Sequence, residues 1–139
     1  MLTGGRPGAT GTTTGITVSI ARDPALVRTV RLVAAAVARR TTQDEEFVEE
    51  VRLAVGEACA LLVAQEAAPG TSGPVEVRML LEDRLRVSVS AGGAVATRDA
   101  PTSDIDGVEP WALLRGLIED FAVTRDAGST VLSMSWPLY

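Results

Sequence analysis

The amino-acid sequence predicts an α+β fold, a two-layer sandwich with helices on one face of a mixed, mostly antiparallel sheet. Three observations carry that expectation. The chain reads in the order strand, helix, helix, hairpin, loop, helix, hairpin. Strands adjacent in sequence are joined by short turns, which pairs them antiparallel and leaves the helices to cover one face. Scale is the third observation: 139 residues with 46% hydrophobic content support one domain with a real core and are too few for two.

Residues 1–15 are rich in Gly and Thr with almost nothing to bury, so a disordered tail is expected, followed by a single domain over 16–139. Ile16 to Ile20 alternates apolar and hydroxyl side chains, the period of a strand. Asp23-Pro24 is a helix start, with Asp as cap and Pro at the first position. Leu26, Val27, Val30, Val33, Ala34 and Val37 then recur at helical spacing, and Arg39-Arg40 suits a helix C-terminus. Thr42 to Glu45 matches a capping box for a second helix from about Gln43 to Ala67, with an acidic first turn. The Pro- and Gly-rich stretch 69–74 ends it. Val75 to Leu81 and Leu85 to Val89 form a hairpin about Glu82-Asp83-Arg84. Ala91 to Gly107 has no period and reads as a loop, of a length associated with lids or disorder. Pro110 to Asp120 is a third helix with Trp111, Leu114 and Ile118 on one face. Phe121 to Thr124 and Thr130 to Trp136 close the chain as another hairpin.

Composition removes several function classes. Net charge is −5 with a pI near 4.7, which disfavours a phosphate-coating surface and direct nucleic-acid binding. There is no His, so His-based triads, His metal ligands and imidazole proton shuttles are excluded. The single cysteine, Cys59, excludes an internal disulfide and a cysteine-cluster metal site, and reads as a small buried hydrophobe. No apolar run approaches ~18 residues and no charged-then-apolar leader opens the chain, so a cytosolic protein without membrane contact is expected.

The segment Val51 to Val63 is the most informative. Phe47, Val51, Ala54, Val55, Ala58 and Leu62 share one helix face, the expected core side. Glu57 lies roughly 130° off that face's centre, with Leu53 and Leu61 one turn to either side. Two readings stand: a solvated Glu between two incidentally exposed leucines, or the wall of a pocket or interface.

Leu53-Ala-Val-Gly-Glu57-Ala-Cys-Ala-Leu61 resembles the N-box of the bacterial anti-sigma factor/serine kinase family (the RsbW and SpoIIAB type) of the GHKL, HATPase-like superfamily. The family pattern there is approximately Leu-Ala-Val-Ser-Glu-Ala-Cys-Thr-Asn. Element order agrees from about Ile16 to Pro137, and the ending around Leu117 to Phe121 and Gly128 to Leu132 is also similar. The resemblance implies a base for phosphoryl transfer at Glu57 and a Mg²⁺-coordinating Asn where this chain has Leu61, whose side chain has no ligand atom. The family's adenine-recognising Asp corresponds to Ala91, although Gly92 and Gly93 follow as the family's glycines do. Its phosphate-binding Gly-x-Gly corresponds to Val108 to Trp111, where the glycines are missing, Pro110 lacks an N–H and Glu109 repels phosphate. Degenerate actinobacterial members of the UsfX type share such erosion and a Trp before this helix, and the chain resembles these most.

The resemblance therefore implies an anti-sigma factor with a degenerate ATP site and Glu57 as a vestigial base, needing neither ATP nor a metal. It would sequester an alternative sigma factor and be released by an anti-anti-sigma (STAS-domain) partner in a stress response. Arg28 and Arg31 interrupt an otherwise apolar first helix, and Arg is favoured at interfaces. By the resemblance, Arg31 corresponds to an arginine that contacts the sigma factor, and a homodimer built partly from this helix is implied. The alternative is an active Mg-ATP-dependent serine kinase that phosphorylates the STAS antagonist.

Overall fold

The computed structural model describes residues 14–41, 44–64, 73–91, 118, 120–126 and 129–138. The first strand, β1 (Thr14–Ile20), runs into Asp23, whose carboxylate accepts the Ala25 backbone N–H at 2.9 Å. Pro24 then opens a single 3₁₀ turn, Pro24–Leu26, and the α-helix proper, α1 (Val27–Arg39), starts one turn later than the Asp-Pro signal implies. After Arg39 the Thr41 hydroxyl donates to the Ala38 carbonyl at 2.7 Å, satisfying one of the carbonyls a helix end leaves open.

The second helix, α2 (Glu45–Ala64), is capped differently from the expected Thr42–Glu45 box. Asp44 is the cap: its carboxylate accepts the Glu46 N–H at 3.0 Å, and its carbonyl accepts the Val48 N–H at 3.1 Å. Glu45 is the first residue of the helix, not the third, so it does not hold the position from which a capping-box Glu reaches back. Thr42 and Gln43 lie outside the described residues, as do 65–72.

Four further strands follow: β2 (Val75–Leu81), β3 (Arg84–Ala91), β4 (Asp120–Asp126) and β5 (Ser129–Pro137). They form one sheet in the order β1-β2-β3-β5-β4, and every pair is antiparallel. The register explains the two faces. Val18, Val77, Val89, Leu132 and Val123 lie opposite one another in a row across all five strands, on the side covered by the helices. One residue along, the row is Thr17, Arg78, Ser88, Ser133 and Ala122, on the open side. A one-residue slip would exchange these rows, so hydrophobic burial locks the register.

Two sequence-based boundaries shift. Ala91, expected to begin a loop, ends β3, buried and opposite Val75 and Thr130. Asp120, expected to end the third helix, starts β4 opposite Ser135, whose hydroxyl donates to the Asp120 carboxylate. The rest of that helix and of the 91–107 loop lies outside the described residues, except Ile118, which is buried. The expected tail, residues 1–15, is described only from Thr14, which with Gly15 belongs to β1.

Two polar contacts tie the layers together. The Trp136 indole N–H donates to Glu50 Oε2 at 3.0 Å, joining β5 to α2. Arg22 donates from Nε to the Gly73 carbonyl at 2.9 Å and from a terminal nitrogen to the Leu62 carbonyl at 3.4 Å. The core itself is aliphatic. Leu62 is fully buried, whereas Leu32 on α1 is 63% exposed. In urea denaturation Leu62→Ala is expected to cost about 2–5 kcal/mol by leaving a cavity, while Leu32→Ala should stay within about 0.5 kcal/mol of the wild type.

Candidate functional site

The α2 helix is apolar almost all round, and its burial shows why. Val48, Val51, Ala54, Val55, Ala58, Cys59, Leu62 and Val63 are buried, with Gly56 among them. Such a helix must be covered on more than one side. The sheet covers one side through β2 and β3, and α1 packs along another. The remaining stripe carries Leu53, which is 47% exposed, and then Glu57 and Leu61, both half-buried. Leu61 leans on the edge of the core. The stripe is thus neither core nor fully solvated. Among the described residues Glu57 makes no hydrogen bond or ion pair.

The other expected site residues fall into three groups. Ala91 is the buried last residue of β3, and its methyl offers no carboxylate to an adenine amino group. Gly92, Gly93 and Trp111 lie outside the described residues. Arg28 and Arg31, adjacent turns of α1, are separated by the fold: Arg28 is exposed, while Arg31 is half-buried between α1 and α2. A Cβ on Gly56 would lie 2.4 Å from Arg31 Nε, 2.7 Å from its Cγ and 3.0 Å from its Cδ. The arginine stem therefore rests directly on the α2 backbone. Gly56 was not among the expected site residues, although a glycine inside an apolar helix costs about 1 kcal/mol relative to Ala and is itself a signal of close approach.

Leu61 supplies no oxygen or nitrogen to a hard cation that requires oxygen ligands. A separate concavity of about 340 Å³ lies on the open face of the sheet, bordered by Arg78, Arg86, Ser88, Asp120 and Ser133. Two of its polar groups, Asp120 and Ser135, are already engaged: the Ser135 hydroxyl donates to Asp120, and the adjoining Arg84 donates to Ser135 at 3.0 Å and pairs with Asp120 at 3.6 Å.

Cys59 is buried on α2, close enough to Arg31 to feel its charge. Burial pushes its thiol up to about 11, and the nearby Arg31 charge opposes that shift. The folded thiol therefore holds its proton more tightly than the unfolded one, so its contribution is fully present below the ordinary value near 9 and is lost as pH rises toward 11. The native protein should leave Cys59 unalkylated by iodoacetamide at pH 8, and Cys59→Ala should flatten the loss of stability between pH 9 and 11, read by melting across that range.

Among the described residues no helix is long and apolar enough to cross a membrane. The same two-helix, five-strand frame occurs in a solved structure, that of the RsbU and RsbW domains of Rv1364c from Mycobacterium tuberculosis. The TM-score is 0.68 at 18% sequence identity over 90% of this chain, which spans 32% of the length of that one. No curated protein matches the chain. The histidine kinase-like ATPase domain family matches residues 20–136, from the end of β1 to Trp136 in β5. Because that match takes in every described helix and strand after β1 together with the Glu57 stripe, the chain belongs to the histidine kinase-like ATPase domain family.

Proposed function

We propose that this chain is an anti-sigma factor, closest to degenerate UsfX-like members, which sequesters an alternative sigma factor by direct protein binding. A STAS-domain anti-anti-sigma partner would release it, in the cytoplasm and in a stress response. The observation that carries the reading is Leu61. It stands one turn after Glu57 on the half-buried stripe of α2, where a phosphoryl-transfer site in this fold needs a metal ligand. Metal-free phosphoryl transfer loses the bridge between phosphate oxygens and the neutralisation of developing charge. Ala91 at the end of β3 supports the same reading, since it cannot recognise an adenine amino group.

The protein-binding surface in this proposal centres on α1. Arg28 and Arg31 are cations near its start, no acidic residue lies between Val27 and Arg39, and Leu32 stands exposed next to Arg31 and one turn after Arg28. An arginine-flanked apolar residue is the composition of an interface anchor. The RsbW domain named in the structural neighbour is in keeping with this class of regulator. A homodimer using the same helix is part of the proposal.

The second reading is the serine kinase, and one observation favours it: Glu57 is half-buried with no ion-pair partner among the described residues, as a general base would be. The two readings separate on nucleotide. The tagged chain, co-expressed with the alternative sigma factors of its host, should hold one of them without nucleotide, and Mg-ATP should leave the complex unchanged. Arg28→Ala and Arg31→Ala should each weaken it roughly tenfold, as for truncated arginine anchors worth about 1.4 kcal/mol. Saturable micromolar ATP binding with phosphate transfer to a STAS serine would overturn the proposal in favour of the kinase.

A further inference from the structure

Gly56 is buried in the middle of α2, where glycine is the poorest ordinary residue for a helix. The space beside it is filled by the stem of Arg31 from α1, so close that a Cβ would fall 2.4 Å from Nε. Neighbouring seam positions on α1, Val27, Val30, Ala34, Val37 and Ala38, are all apolar and buried. Arg31 alone brings a cation into this seam, and among the described residues it forms no ion pair. Its charge lies near enough for the Cys59 thiol to feel it.

We infer that Gly56 is a positioning residue: it seats the Arg31 stem against α2 and presents the guanidinium as a preset donor for a carboxylate of the protein partner. The inference rests on reading Arg31 as a partner contact. An arginine in solution loses side-chain freedom when it binds, whereas a stem already held against a helix backbone has lost it on folding. A carboxylate is the matching group because a guanidinium forks onto it through two parallel hydrogen bonds. Arg28, exposed on the neighbouring turn, is not seated in this way and serves as the internal control.

The test separates the seat from the partner. Gly56→Ala is made in the wild type and in an Arg31→Ala background, and both are melted. With Arg31 gone, the added methyl should raise the melting temperature through helix propensity alone. With Arg31 present the gain should vanish or reverse, and ¹⁵N relaxation should show Arg31 Nε rigid in the wild type and mobile in Gly56→Ala. An equal gain in both backgrounds, or an Arg31 Nε as mobile as that of Arg28 in the wild type, would overturn the seat.

Affinity is then measured for the sigma factor that co-purifies with the wild-type chain. Gly56→Ala should weaken binding roughly 3- to 10-fold, the cost of ordering one long side chain, and should add nothing to Arg31→Ala. If Arg31→Ala weakens binding while Gly56→Ala does not, the presetting role fails and the partner contact stands. If neither weakens it, the reading of Arg31 as a contact fails.

Discussion

Everything in this molecule depends on covering α2. Its sequence is apolar around most of its circumference, so a sheet on one side cannot satisfy it alone. The α1 helix is the second cover, joined through a short connection that forces the two helices to run antiparallel. Small residues set how close the covers come. Ala54, Gly56, Ala58 and Cys59 keep the surface of α2 low, and Ala34, Ala35 and Ala38 do the same on α1. With both covers in place, the stripe of Leu53, Glu57 and Leu61 still faces outward.

That stripe explains how one fold can serve either chemistry or recognition. The described helices and sheet are built by the hydrophobic rows that also form the core. Leu61 packs at the margin of that core and Ala91 closes it at the end of β3. A side chain changed at the margin of the core alters what the surface binds, while the register of five strands stays locked by burial. The electrostatics follow the same division, with cations on α1 and acids concentrated at the start of α2.

Local signals made most of the fold legible. Strict alternation in Leu85, Val87 and Val89 predicted a strand face, and those residues face the helices. Asp23-Pro24 predicted a start, and Asp23 caps it. What local signals missed was set by partners distant in sequence. Ala91 has no strand character beside Gly92 and Gly93, yet it pairs with Val75 and Thr130 and so extends β3. Asp120 reads as the polar end of a helix, yet Ser135 across the sheet makes it a strand residue. Asp44 displaced the expected Thr42 cap because the helix begins at Glu45.

By itself the sequence determined the class of fold, the layer each described element joins, and the absence of a ligand atom at Leu61. Period, capping chemistry and side-chain composition are properties of short segments, independent of what lies across the core. Only the tertiary structure decided where Arg31 goes. Arg28 and Arg31 look equivalent on one helix, three residues apart, and differ because Gly56 on another helix leaves room under one of them and not the other. Close packing between segments 25 residues apart in the chain is a property of the assembled seam.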